Sequence, residues 1–294
     1  MIMKKIFVYL CICILLFCDI GSIAKNTERK PDISNINNKD DSNYWAVLVY
    51  TNVTNITSIY NSIIDKSNWN ESNIILLRRE EATRENIFDA LDWLRINANL
   101  NDTILFSFNG HGTYRDRRYG ISPWDRDIIF TDELDERLDL ITCKYTCLIF
   151  DCCFSGGFVS DDSIFYRNLI SARFDYNFKL NLDDENRVVL MSSGRRGGGF
   201  IASVFEDGVE ADVISFTRFV ADGLEIEVDY NSDGWVSAEE SFLYGRRKFM
   251  PYAIILFLFI PLQIVAFIQS RGYFLIPFPS IYDGVEDELL LVQI

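Results

Sequence analysis

The sequence predicts an α/β protein in which helices cover both faces of a mostly parallel sheet. Short apolar runs typical of buried strands alternate with stretches of helical periodicity along the predicted domain. Two of the apolar runs stop abruptly at glycines and reactive side chains, as strands do where they enter loops at the edge of an open sheet. Alternating strands and helices favour parallel pairing through crossover helices, so the sheet is expected to form the middle of three layers.

The predicted elements follow one another in a regular order. Strands are predicted at 44–50, 73–77, 103–108, 148–150 and 187–193. Helices are predicted at 54–66, from Thr83 to about residue 98, from Thr131 to Ile141, at 211–224 and at 237–249. Because the helix that begins at Thr131 joins the third strand to the fourth, these two strands should lie parallel and side by side.

Two strand ends carry the reactive side chains. The third strand runs into the sequence NGHG at 109–112, and the fourth runs into DCCFSGG at 151–157. His111 is the only histidine of the chain. Loops at the carboxyl ends of adjacent parallel strands meet at one edge of a sheet, so this histidine and a cysteine form a candidate base and nucleophile. Taken singly, each motif also fits a structural role, as a turn histidine or as small buried thiols.

These two motifs resemble those of the caspase-like cysteine peptidases, the group that includes metacaspases and legumain-type enzymes. That family places its histidine in Gly-His-Gly after an apolar strand and its cysteine third in Asp-x-Cys-x-Ser-Gly, which here assigns Cys153 rather than Cys152. The resemblance extends over about 44–249, with a short similarity near the C-terminus. It implies a caspase-hemoglobinase-like three-layer αβα sandwich with a mostly parallel sheet.

The resemblance also implies the catalytic roles. His111 would take the proton of Cys153, and the backbone N–H groups of Gly112 and Cys153 would bind the oxyanion. The chain departs from the family at Phe154, where many relatives have a polar residue, and at Asn109, where a small residue is more usual. Neither departure removes a catalytic atom. The implied activity is that of a cysteine endopeptidase, and the alternative within the enzyme class is a legumain-like transamidase.

Three further residues are candidates for substrate binding. In metacaspases the acid two residues before the nucleophile lines the pocket for the residue preceding the scissile bond, so Asp151 implies cleavage after Arg or Lys. The alternative is that Asp151 orders the turn. The family's loop after the next strand lines the substrate cleft, which implies the same for Ser192 and Ser193, with a surface loop as the alternative.

The segment 229–240, DYNSDGWVSAEE, fits a twelve-residue EF-hand loop position by position. The predicted Ca2+ ligands are Asp229, Asn231, Asp233, the Trp235 carbonyl, Ser237 and Glu240. Since the sequence has one such loop and not a pair, a structural staple is favoured over a cooperative sensor. An Asp/Asn/Gly turn without metal and a dockerin-like adhesion module are the alternatives.

The composition limits the partners. A formal net charge of -15 argues against binding to nucleic acid and favours cations or basic peptides. The expected partner is a peptide or protein substrate. A function from another class, a catalytically inactive calcium-binding protein of the cell surface, is disfavoured because both His111 and Cys153 are present.

The two ends of the chain predict a location outside the cytoplasm with a membrane anchor. Residues 1–24 have the pattern of a signal peptide, with an uncleaved signal anchor as the alternative, and 25–43 read as a polar linker before the domain. The uncharged stretch 250–269 is long enough to span a membrane. A hydrophobic hairpin is the alternative, because the tail 270–294 resembles the closing segment of prokaryotic caspase-domain proteins, which would join the sheet.

Overall fold

The computed structural model describes most of the predicted domain. The residues described are 42–51, 58–159, 182, 184–195, 202–206, 209–258 and 278–294. The predicted signal peptide, nearly all of the polar linker and the 259–269 part of the predicted membrane span lie outside them, so these remain predictions. Within the described ranges, no helix has the length and apolar content needed to cross a membrane.

The strands and helices alternate along the chain. The strands are β1 (Tyr44–Tyr50), β2 (Ile74–Arg78), β3 (Thr103–Asn109), β4 (His111–Arg115), β5 (Arg118–Ser122), β6 (Ile129–Phe130), β7 (Tyr145–Asp151), β8 (Arg187–Met191), β9 (Ala202–Glu206), β10 (Val209–Ile214), β11 (Trp235–Ser237), β12 (Ser280–Asp283) and β13 (Leu290–Gln293). The helices are α1 (Ser58–Ile63), α2 (Arg84–Asn97), α3 (Thr131–Leu138), α4 (Phe216–Glu225) and α5 (Ala238–Leu258).

A six-stranded sheet lies at the centre in the order β12-β8-β7-β3-β1-β2. Its strands pair in parallel except for the edge strand β12, which runs antiparallel to β8. Successive side chains of a strand point to opposite faces, and both faces here are apolar. Leu48 packs with α1, α4 and α5 in one core, whereas Val47 packs with α2 and α3 in the other. The predicted three-layer fold with a mostly parallel sheet is therefore confirmed.

The charged segment 115–127 lies partly in a β-hairpin. Strand β4 begins at His111 and pairs antiparallel with β5. Asp116 and Arg117 form the two-residue turn with φ of 52° and 63°. Positive φ at both turn residues matches the twist of the strands on either side.

The helix predicted at 211–224 is wrong at its start. Residues 209–214 form β10, and α4 begins only at Phe216. Ser215 ends the strand because its side chain accepts a hydrogen bond from the Arg218 N–H at 3.1 Å, which caps the helix. The run Val213-Ile214 before it is β-branched and suits a strand.

The C-terminal tail joins the domain in two places. Strand β12 pairs with β8 at the edge of the central sheet, and β13 pairs antiparallel with β11. Helix α5 runs to Leu258, beyond the predicted end at 249 and past Pro251. The tail therefore has the position that its resemblance to the closing segment of caspase-domain proteins implied.

Within the described residues, the cysteines form no disulfide. Cys147 is buried in the core, and the Cys143 sulfur lies 3.2 Å from the Thr146 hydroxyl. Both therefore have the role of core thiols, and a local disulfide between them is absent from this part of the chain.

Candidate active site

The histidine and cysteine motifs leave neighbouring parallel strands at the same end. Strands β3 and β7 pair over their whole length, with Asn109 opposite Asp151. The contact continues past the strands, because the Gly110 N–H donates to the Asp151 carbonyl at 3.2 Å. Residues distant in sequence are brought together here because α3 carries the chain back to the start of the sheet.

The backbone at Gly112 lies directly against the backbone of Cys153. A Cβ atom at Gly112 would stand 1.8 Å from the Cys153 carbonyl oxygen, so only glycine fits. His111, the residue before it, is exposed to solvent, and Cys153 is half-buried. His111 and Cys153 thus stand at the point where the two backbone segments meet, and a histidine–cysteine dyad needs both residues at one edge of the sheet.

The two adjacent cysteines differ in environment. Cys152 is 2% exposed, and burial raises the pKa of its thiol well above the usual range, with the nearby Cys153 and Asp151 acting in the same direction. A thiol with a raised pKa stays protonated and unreactive at neutral pH. Of the two, Cys153 is the one whose position suits a nucleophile.

Ser193 holds the loop that carries Cys153 through hydrogen bonds. Its hydroxyl donates to the Cys152 carbonyl at 2.9 Å and accepts the Ser155 N–H at 3.1 Å, while its carbonyl accepts the Gly156 N–H at 2.8 Å. Ser192 and Ser193 are both fully buried. The structure therefore puts these two predicted substrate-binding residues under the cysteine loop, where they act on its shape.

Phe154 adopts a conformation that side chains avoid. Its φ and ψ are 64° and 10°, in the left-handed region, one residue after Cys153. Such a conformation costs of order 1–3 kcal/mol and persists only where the surroundings impose it. The hydrogen bonds between Ser193 and the residues after Phe154 therefore hold this turn in its conformation.

Asp151 is fully buried at the start of α4. Its Oδ2 accepts the Thr217 N–H at 2.8 Å and lies 3.4 Å from the Asn109 side-chain nitrogen. Burial raises the pKa of this carboxyl, and the Thr217 amide and the hydroxyls of Ser192, Thr217 and Ser215 act against the rise. The N-terminal turn of a helix favours an anion at this place.

Three polar atoms at Asp151 and its neighbours have incomplete hydrogen bonding. Asp151 Oδ1, Asn109 Oδ1 and the Thr217 hydroxyl are buried without a hydrogen bond of normal geometry. Buried polar groups are rarely left this way, so a ligand that brings donors would satisfy them. The sequence analysis missed Thr217. The one sequence feature that could have pointed to it is Ser215, a typical helix cap, because Thr217 then lies in the first turn of the helix.

The predicted calcium loop, 229–240, contains strand β11 and leads into helix α5. Gly234, at the sixth position, has a φ of 86°, and Asp229 accepts the N–H groups of Ser232, Asp233 and Gly234. Glu240, at the twelfth position, is buried and accepts the Tyr230 and Ser237 N–H groups. The loop thus contains oxygen atoms of the kind that calcium prefers, and calcium binding to it stays a prediction.

A separate acidic group lies beside the sheet and binds an arginine. The carboxylates of Asp135, Asp139 and Asp184 come within 4.8 Å of one another. The buried Arg187 guanidinium lies 2.6 Å from Asp135, 2.6 Å from Asp139 and 3.1 Å from Asp184. Because the guanidinium already contacts all three carboxylates, the group does not suit a metal ion.

Comparison with known proteins finds a family model that matches part of the chain. No curated protein matches its sequence significantly. A crystal structure of a protein from Geobacter sulfurreducens superposes with a TM-score of 0.48 and 13% identity, over 83% of this chain and 94% of that one. The family model described as metacaspase, peptidase C14 domain, matches residues 41–161. That match supports a caspase-like peptidase and covers the part of the chain that carries both His111 and Cys153.

Proposed function

We propose that this protein is a cysteine endopeptidase that cleaves after Arg or Lys. His111 takes the proton of the Cys153 thiol, and the thiolate attacks the peptide carbonyl. The tetrahedral intermediate collapses as the protonated histidine gives its proton to the leaving amine. Water then attacks the thioester, with the histidine again as base, and releases the new carboxylate and the free thiol.

One observation carries the proposal. The register of β3 against β7, with Asn109 opposite Asp151, sends both motif loops out at the same end of the sheet. Beyond the strands, Gly112 is in such close contact with the Cys153 carbonyl that no side chain fits between them. This contact supports a histidine–cysteine pair, because the exposed His111 immediately precedes that glycine and Cys153 is the half-exposed thiol of the cysteine loop.

The oxyanion site of this mechanism consists of backbone groups. The N–H groups of Gly112 and Cys153 belong to two segments that touch, and one of them is the nucleophile's own amide. Donors fixed by the fold need no reorganisation when charge develops on the substrate oxygen. The hydrogen bonds from Ser193 to the cysteine loop keep the second donor in position.

The preference for basic residues rests on the buried acceptors around Asp151. A guanidinium or ammonium group brings positive charge and several hydrogen-bond donors. These donors could bond to Asp151 Oδ1 and Asn109 Oδ1, which are buried acceptors without a hydrogen bond of normal geometry. The Ser192 and Ser193 side chains would contribute to substrate binding through the cysteine loop. The net charge of -15 favours the approach of basic substrates as well.

A calcium ion is part of the proposal as a structural element. The residues that would hold it are Asp229, Asn231, Asp233, the Trp235 carbonyl, Ser237 and Glu240. Their chemistry fits, since all offer oxygen and Gly234 supplies the positive φ at the turn. A calcium ion held there would offset part of the negative charge of Asp229, Asp233 and Glu240. The loop connects α4 to α5, so its order fixes how these two helices meet.

The proposal is tested on the full chain with fluorogenic peptides that end in Arg, Lys, Asn or Asp. Cleavage after Arg and Lys is expected, with Cys153→Ala inactive and Cys152→Ala active as the matched control. Activity that survives in Cys153→Ala, or a folded chain that cleaves none of the peptides, would contradict it. An amine acceptor added to the assay separates hydrolysis from transamidation, because a transamidase would join the acyl group to the amine.

A further inference from the structure

The calcium loop is paired with the C-terminal end of the chain. Strand β11, which occupies the seventh to ninth positions of the loop, pairs with β13, with Val236 opposite Val292. On either side of this pair, the Ala238 N–H donates to the Leu289 carbonyl at 2.8 Å, and the Ile294 N–H donates to the Gly234 carbonyl at 3.0 Å. A single loop has no second loop to satisfy its backbone groups, and the tail does so here.

The tail also brings a carboxylate to the loop. The side-chain nitrogen of Asn231 donates to Asp233 at 3.1 Å and to Glu288 at 3.0 Å. One neutral amide group thus lies between two acids, one from the loop and one from outside it. Like charges this close repel each other, and a cation between them would reverse the sign of that interaction.

These carboxylates lack a basic partner. Among the described residues, no lysine or arginine lies within ion-pair distance of Asp229, Asp233, Glu240 or Glu288. The acidic group around Arg187 shows the contrast, since each of its three acids contacts the guanidinium. The loop and the tail together therefore hold four acids whose negative charge a bound cation would offset in part.

The other edge of β13 is held by the body of the domain. The Leu291 carbonyl accepts the Trp69 indole N–H at 2.8 Å and the Asn68 side-chain N–H at 2.9 Å. The Asn68 side-chain oxygen accepts the Gln293 N–H at 3.2 Å. Asn68 therefore fixes the tail strand without touching the calcium loop.

We propose that Glu288 is a further calcium ligand supplied from outside the loop, so that cation binding and docking of the C-terminal strand are one coupled equilibrium. This rests on the calcium site of the proposed function. Coupling is reciprocal, so a change that loosens β13 lowers the affinity for calcium by the factor by which calcium tightens β13. Loop and tail act as two halves of one site.

The test is calorimetric titration of the full chain with Ca2+. Glu288→Gln should weaken the dissociation constant by roughly tenfold, because ligand charge tunes such sites. Glu286→Gln, an equal change of charge at an exposed position two residues earlier, should leave it unchanged. Asn68→Ala should weaken binding several-fold without altering any loop residue. Hydrogen exchange at the β13 amides should slow on adding calcium in the wild type.

The outcomes separate this inference from the proposed site. If the wild type binds no calcium, the site itself is refuted and the inference with it. If the wild type binds calcium, Asp229→Ala abolishes binding, and both Glu288→Gln and Asn68→Ala bind as the wild type does, the tail has no part in the site. Equal weakening by Glu286→Gln and Glu288→Gln would reduce the effect to general charge and overturn the ligand assignment.

Discussion

The buried carboxyl of Asp151 and the half-exposed thiol of Cys153 stand two residues apart in the chain, and in the proposed function both act on the residue that precedes the scissile bond. The strand end turns Asp151 toward the first turn of α4, where Thr217 binds it. The turn after the strand, strained at Phe154, presents Cys153 to the side of Gly112. The proposed function therefore assigns substrate selection to Asp151 and bond cleavage to Cys153.

Asp151→Asn tests the selectivity. Because burial raises the pKa of Asp151, the carboxyl becomes negative only over a pH range above that of an ordinary aspartate. The kcat/KM ratio of an Arg peptide to a norleucine peptide should therefore rise with pH across that range, and it should be low and independent of pH in Asp151→Asn. The ratio cancels the pH dependence of the chemical step, which both peptides share.

The same substitution has a consequence for stability. A raised carboxyl pKa in the fold contributes stability that is present below about pH 4 and lost as the pH rises through the raised value. The free energy of unfolding of the wild type, relative to Asp151→Asn, should fall over that interval. Denaturant titrations at several pH values measure it. A ratio and a stability difference that are both flat with pH would contradict the placement of a titrating carboxyl here.

At the scale of elements, the contact between β4 and the cysteine loop depends on a missing side chain. Gly112→Ala would drive a methyl group into the Cys153 carbonyl, so the two segments must separate. We expect kcat/KM to fall by at least about a hundredfold, as for loss of an oxyanion donor, and the unfolding free energy by about 1–3 kcal/mol. Gly194→Ala is the control, because a Cβ at that position meets no atom within 4 Å. Equal activity in both variants would contradict this contact.

Arg187 joins the crossover helix α3 to strand β8. Arg187→Met removes the only guanidinium that Asp135, Asp139 and Asp184 contact in the described structure and leaves their charges uncompensated. We expect a loss of about 3–5 kcal/mol in unfolding free energy. Arg218→Met, which breaks an exposed pair with Asp222, should cost about 1 kcal/mol or less. Similar losses in the two variants would show that burial does not set the difference.

At the scale of the whole molecule, the C-terminal tail pairs with two separate parts of the domain. Strand β12 completes the central sheet and β13 completes the calcium loop, so the last residues reach both the sheet edge and the α4–α5 junction. At a hundredfold excess over its dissociation constant, a ligand specific to the fold adds about 2.7 kcal/mol. For a domain of this size that corresponds to a rise in Tm of about 5–10 °C.

Calcium should therefore raise the Tm of the full chain by that amount, and chelation should reverse the rise. Asp229→Ala removes the first ligand of the loop and should remove the shift as well. Magnesium serves as the control ion, because it keeps its own water and suits such a loop poorly. A shift that is equal with both ions, or that persists in Asp229→Ala, would contradict a calcium site at this loop.

Several elements were predictable because their causes are local. The apolar run of β1 stands where the sequence predicted it, and the cap at Thr83 starts α2 as predicted. Residues 211–214 were misassigned because their apolar spacing fits a helix as well as a strand. The pairing of β10 with β9 makes these residues a strand, and no local sequence pattern predicts that pairing.

The sequence by itself determined the three-layer fold and the two reactive motifs, because periodicity and strand ends are properties of short segments. It also predicts a twelve-residue calcium loop from the spacing of its ligands, and calcium binding there stays a prediction. Tertiary structure alone decided which distant groups meet. Thr217 reaches Asp151, Ser193 shapes the cysteine loop, and Glu288 joins Asn231. Each of these contacts joins residues that lie far apart in the sequence, and no local pattern predicts which distant residues will meet. The packing of the elements therefore fixes the surroundings of the site.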